Sequence, residues 1–85
     1  MSIAATAATN LTPHERLVVG IWREILRLDA IDLDQRFFEI GGNSRLLLQV
    51  RARLTEALGM KIGIVSLLEN STVRALARHL DGMQR

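Results

Sequence analysis

No cysteine occurs among the 85 residues of this chain, so its fold must be held by a single modest hydrophobic core without disulfides or thiolate-bound metal. A domain of this size buries only about 60 to 65% of its unfolded surface. Its elements therefore have to be efficient and its loops well pinned, a demand that the 48% hydrophobic content suits. The absence of thiols also removes cysteine nucleophiles and leaves the redox compartment open.

The apolar spacing is that of helices. Thr12-Pro13-His14-Glu15 predicts a start, with Thr12 as cap, Pro13 in the first turn and Glu15 completing a capping box. Leu17, Val18, Ile21, Trp22, Ile25 and Leu28 then recur at three-and-four spacing, so this helix should end near Leu28. From Asp29 to Asn43 the period is lost, and a loop of that length inside a compact domain tends to be functional. A second helix follows, with Leu47, Val50, Leu54 and Leu58 inward and Gly59 as its stop. Ile62 to Glu69 holds enough apolar residues for one or two turns of a third. Ser71 or Thr72 should cap a final helix with Val73, Leu76, Ala77 and Leu80 inward, ended by Asp81-Gly82. The fold class is all-α, a small four-helix bundle with three main helices, a short third one and a long loop between the first two. Residues 11–82 form the domain, between a flexible uncharged tail at 1–10 and a short tail at 83–85.

A sequence pI near 10.4 suggests a nucleic-acid binder, but 11 basic residues face 9 acidic ones for a net charge of only +2. The distribution says more. Leu11 to Asn43 carries four arginines against six acids, whereas Ser44 to Lys61 carries Arg45, Arg51, Arg53 and Lys61 against Glu56 alone. Residues 1–10 lack the basic and apolar regions of a secretory signal, and no apolar run approaches the roughly 18 residues of a membrane span. A soluble, cytoplasmic monomer is expected. Met1 and the short tail favour a free-standing protein over an excised module, a choice that stays open.

The sharpest local feature is Phe37-Phe38-Glu39-Ile40-Gly41-Gly42-Asn43-Ser44, followed at once by a helix. Two glycines before a serine allow φ > 0 and close backbone approach, and leave the hydroxyl accessible. Ser44 sits where free N–H groups and the helix dipole favour a phosphate ester. Ser44 or Asn43 can serve as the N-cap.

At this point Leu11 to Leu80 resembles the peptidyl and acyl carrier domains of nonribosomal peptide and polyketide synthases. Their core motif, FFxxGGxS, is matched by Phe37, Phe38, Gly41, Gly42 and Ser44, and Leu67-Leu68-Glu69-Asn70-Ser71-Thr72-Val73-Arg74-Ala75-Leu76-Ala77 looks like their closing helix and its approach. The resemblance implies that a phosphopantetheinyl transferase moves 4′-phosphopantetheine from coenzyme A onto Ser44, with Gly41, Gly42 and Asn43 shaping the loop around it. Ser44 is then a substrate and not a catalyst. The arm would hold an acyl, aminoacyl or peptidyl/polyketide intermediate as a thioester, for loading, condensing or tailoring enzymes. His14 and His79 are the only histidines, and no motif makes either of them half of a catalytic pair. No metal site is expected.

Three residues depart from the family pattern. Asn43 stands where aspartate or histidine is common, Arg45 where an apolar residue is usual, and Ser71 where proline is frequent. Carriers of this family dock through the start of the second helix, so Arg45, Leu48, Gln49, Ala52 and Arg53, which lie off the buried stripe, are the expected partner-docking residues. Arg45 puts partner choice in question. The alternative reading is a helix-turn-helix DNA-binding module, against which stand the Asp29 to Asn43 loop and the acids among the arginines. A plain scaffold bundle would leave Ser44 unmodified.

Overall fold

The computed structural model describes residues 10–84; the rest of the expected N-terminal tail, and Arg85, lie outside the described residues. Helix α1 runs Pro13–Leu26, α2 Ser44–Leu58, α3 Ile64–Glu69 and α4 Val73–Met83, with a 3-10 turn at Phe37–Ile40. Helix α1 lies against α4 and α2, and α3 lies against α2. No strand is present among the described residues, only an isolated bridge between Arg36 and Thr72.

Side chains set the starts of α1, α2 and α4, whereas α3 begins after Gly63 with no side-chain cap. The Glu15 N–H donates to Thr12 Oγ1 while the Thr12 N–H donates to Glu15 Oε1, closing the expected box. The Ala75 N–H donates to Thr72 Oγ1, so Thr72 and not Ser71 caps α4.

Two ends differ from expectation. Helix α1 stops at Leu26 because Arg27 turns left-handed, at φ 57° and ψ 49°, and the Arg27 and Leu28 N–H groups both donate to the Arg23 carbonyl. Leu28 still packs on the core from outside the helix. Helix α4 continues through Gly82 to Met83, because Gly82 does not adopt the left-handed conformation that ends a helix. The last turn is tied to the start of α1 instead: His14 Nδ1 meets Asp81 Oδ1 and Nε2 meets Gln84 Oε1.

The core gathers Val18, Ile21 and Trp22 of α1, Leu47, Val50 and Leu54 of α2, Leu67 of α3, and Val73, Leu76 and Leu80 of α4. The loop before α2 contributes Ile31 and Phe37, and the segment before α3 contributes Ile62. The Phe37 ring meets Trp22 edge-on at 5.0 Å between centroids, a favourable geometry for two aromatics. No helix among the described residues is long and apolar enough to cross a membrane.

Candidate functional site

The long loop is irregular but tightly fastened. Ile31 and Phe37 are buried, and Leu33 and Ile40 rest on the core. The Phe37 N–H donates to the Ser71 carbonyl and the Arg74 N–H to the Leu33 carbonyl, stitching the loop to the start of α4. Across the same seam Arg74 pairs with Asp34. The hydrogen bond from Arg74 outweighs the opposing desolvation and, with the added pull of the Arg74 charge, holds the Asp34 carboxyl below its ordinary pKa.

Of the two adjacent aromatics only one is an anchor. Phe37 is 0% exposed, whereas Phe38 is 44% exposed and rests edge-on against Phe37. The N–H groups of Gly41 and Gly42 both return to the Phe37 carbonyl. The glycines answer different needs. Gly41 has φ +107°, a backbone region L side chains rarely adopt, with open space around its Cα. Gly42 has an ordinary φ, but a Cβ there would lie 2.3 Å from the Phe37 ring and 2.6 Å from its carbonyl oxygen. The sequence shows the glycine pair but not that Phe37 is what Gly42 must clear.

Helix α2 begins directly beyond. Asn43 is the N-cap, its Oδ1 accepting from the Leu46 N–H at 2.9 Å. Ser44 is therefore the first residue of the helix, exposed, and its hydroxyl makes no hydrogen bond among the described residues. The Ser44 and Arg45 N–H groups precede the helical ladder and make up part of the positive end of the helix dipole. An anionic ester on Ser44 Oγ would meet small residues on one side and N–H donors and the exposed Arg45 on the other. The residues present fit a phosphodiester-linked group. No cluster that could hold a metal occurs among the described residues.

Arg45, Leu48, Gln49, Ala52 and Arg53 are all exposed, but they do not share one side of α2. At about 100° per residue, Leu48 and Ala52 lie within about 80° of Ser44, Arg45 and Gln49 further round, and Arg53 about 180° away. Arg53 is engaged by Glu24 of α1. The turn of the helix brings Arg51 and Thr55, further along the axis, round to the same side as Ser44, residues that the apolar pattern alone did not single out.

The family model for the phosphopantetheine attachment site matches residues 16–80. The chain is 38% identical over 78 residues to a dimodular nonribosomal peptide synthase of Bacillus subtilis (strain 168), covering 92% of this chain and 3% of that protein. It is also 38% identical over 85 residues to the hybrid polyketide–nonribosomal peptide synthetase acdB of Aspergillus candidus, covering 98% of this chain and 3% of that one. The chain thus spans about 3% of the length of these relatives. Among solved structures it resembles BlmI, a type-II acyl-carrier-protein from Streptomyces verticillus involved in bleomycin biosynthesis. The TM-score is 0.84 at 26% identity, over 98% of this chain and 100% of that one.

Proposed function

The chain belongs to the phosphopantetheine attachment-site family of carrier domains, and from that membership we propose that Ser44 is the residue that takes the covalent 4′-phosphopantetheine arm from coenzyme A. The chain is a carrier rather than an enzyme, which displaces the DNA-binding alternative. What supports Ser44 is the division of roles at the start of α2. Asn43 takes the cap, so the neighbouring hydroxyl is exposed and uncommitted.

When bound, the arm supplies a flexible thiol on which an acyl, aminoacyl or peptidyl/polyketide unit is held as a thioester. The chain's own residues present and orient. Gly41 and Gly42 keep the approach to Ser44 free of side chains, and the Ser44 and Arg45 N–H groups face the ester phosphate. His14 is engaged with Asp81 and Gln84 and neither histidine lies on α2, so in this reading the base that receives the Ser44 hydroxyl proton is supplied by the transferase.

Partners follow from the same reading. They are a phosphopantetheinyl transferase and the loading, condensing or tailoring enzymes of a peptide or polyketide synthase, as the large relatives' names suggest. The exposed α2 face with Arg45, Leu48, Gln49 and Ala52 receives them, and Arg53 sits at its margin. Residues 11–82 hold most of the carrier domain, and α4 carries it on to Met83 with Gln84 as its C-cap.

Intact-mass measurement after incubation with coenzyme A and a broad-specificity phosphopantetheinyl transferase tests the assignment. The native chain should gain one arm and Ser44→Ala none, with the far-ultraviolet helical signal unchanged. An arm on the Ser44→Ala protein would overturn it.

A further inference from the structure

The charge of α2 is not spent evenly. Arg53 of α2 is paired with Glu24, as Arg74 of α4 is with Asp34 and His14 of α1 with Asp81. Arg51 and Lys61 have no acidic partner within salt-bridge distance among the described residues, and both border an open depression of about 630 Å³ at the far end of α2. Ala52 and the buried Ile62 give it an apolar floor, and Thr55 and Glu56 complete its rim.

Its position relates it to Ser44. Arg51 is seven residues beyond Ser44, which on an α-helix is nearly two full turns, about 10 Å along the axis and within about 20° of the same side. Leu48, 49% exposed, lies between them. A single line on α2 therefore runs from Ser44 past an exposed leucine to a cationic depression with an apolar floor.

We propose that this depression is a second contact site of the carrier, for an acidic, partly apolar segment of a partner protein. Two cations on the rim favour carboxylates, and the floor of Ala52 and Ile62 favours an aliphatic side chain between them. Glu56, on the same rim, disfavours a uniform polyanion such as a nucleic-acid backbone and leaves room for a chain whose carboxylates are spaced apart. The site lies about two turns from Ser44, so it can be held while the attachment serine stays uncovered. The inference rests on the carrier reading only for the partner's role; the mass measurement on Ser44 and the binding measurement below can fail independently.

The test is titration of the full-length ¹⁵N-labelled protein with a short capped peptide of alternating glutamate and leucine, and with its lysine-for-glutamate counterpart. The acidic peptide should shift the amides of Arg51, Ala52, Thr55, Lys61 and Ile62 saturably. Its Kd should rise steeply as salt goes from about 20 mM to about 300 mM, where the Debye length shrinks from about 20 Å to about 6 Å. Arg51→Glu should weaken binding several-fold and Arg51→Glu with Lys61→Glu about tenfold or more, Arg51→Gln less than either, and Arg23→Glu, the same charge change as Arg51→Glu but on α1, far less. Shifts centred on Arg45 or Arg53, equal binding of the lysine peptide, or reversals at Arg51 and Lys61 no worse than at Arg23 would overturn the proposal. So would peptide-free broadening of these amides that grows with protein concentration, which would assign the depression to a second copy of the chain.

Discussion

Phe37 and Gly42 form one fitting, with the ring of one occupying the space that a Cβ on the other would need. Truncating Phe37 to alanine removes a fully buried ring and its Trp22 contact, and should cost about 3 to 5 kcal/mol in chemical denaturation. Gly42→Ala overfills the same place and should cost about 1 to 3 kcal/mol. Phe38→Ala, at an exposed site, should stay within about 0.5 kcal/mol of the native protein. Equal losses for the two phenylalanines would contradict this anchoring. The sequence showed an aromatic pair ahead of two glycines, enough to expect an anchored loop. It could not say which ring enters, because alternation has no meaning in a segment without a period. The 3-10 turn at Phe37–Ile40 makes the choice by directing consecutive side chains in different directions.

Among the helices, the faces were legible and the ends less so. The inward sets of α2 and α4 followed from three-and-four spacing: Leu47, Val50, Leu54, Val73, Leu76, Ala77 and Leu80 are all buried, and Leu58 is partly buried against the core. Ends depend on single backbone conformations that periodicity does not encode. Leu28 continues the apolar stripe of α1, yet Arg27 has already turned left-handed two residues after Ile25. A non-glycine residue there carries a penalty of roughly 1 to 2 kcal/mol. Arg27→Gly should therefore stabilise the protein by about 1 kcal/mol, read as a higher denaturation midpoint at unchanged slope. A β-branched residue such as valine at the same position should move the midpoint the other way. At the start of α2, the sequence left the cap to Asn43 or Ser44. The structure gives it to Asn43, and with that gives the serine its exposure.

At the scale of the whole molecule, contacts distant in sequence join loop, first helix and last helix. None was readable from the chain, since nothing local links Asp34 to Arg74 or His14 to Asp81. The Asp34 carboxyl is held below its ordinary pKa, first by the hydrogen bond from Arg74 and then by its charge. A depressed folded-state pKa stabilises the protein above the unfolded value, about 3.9, and that contribution is lost as pH falls from there through the folded value. Asp34→Asn should accordingly flatten the acid limb of the melting-temperature profile below about pH 4. The effect should be small, as the pair is exposed, and smaller at high salt. A profile parallel to the native one would show that the pair does not contribute.

The seam between the loop and α4 has a mechanical consequence. With Phe37 bonded to Ser71 and Arg74 to Leu33, the backbone leading to Ser44 shares the frame of the bundle. On the proposed attachment, a tether rooted at Ser44 would swing from a fixed origin. Its reach would be a shell centred on a point that a partner can locate by gripping any rigid face, and whatever it carried would move relative to the bundle through rotation about the tether's own bonds.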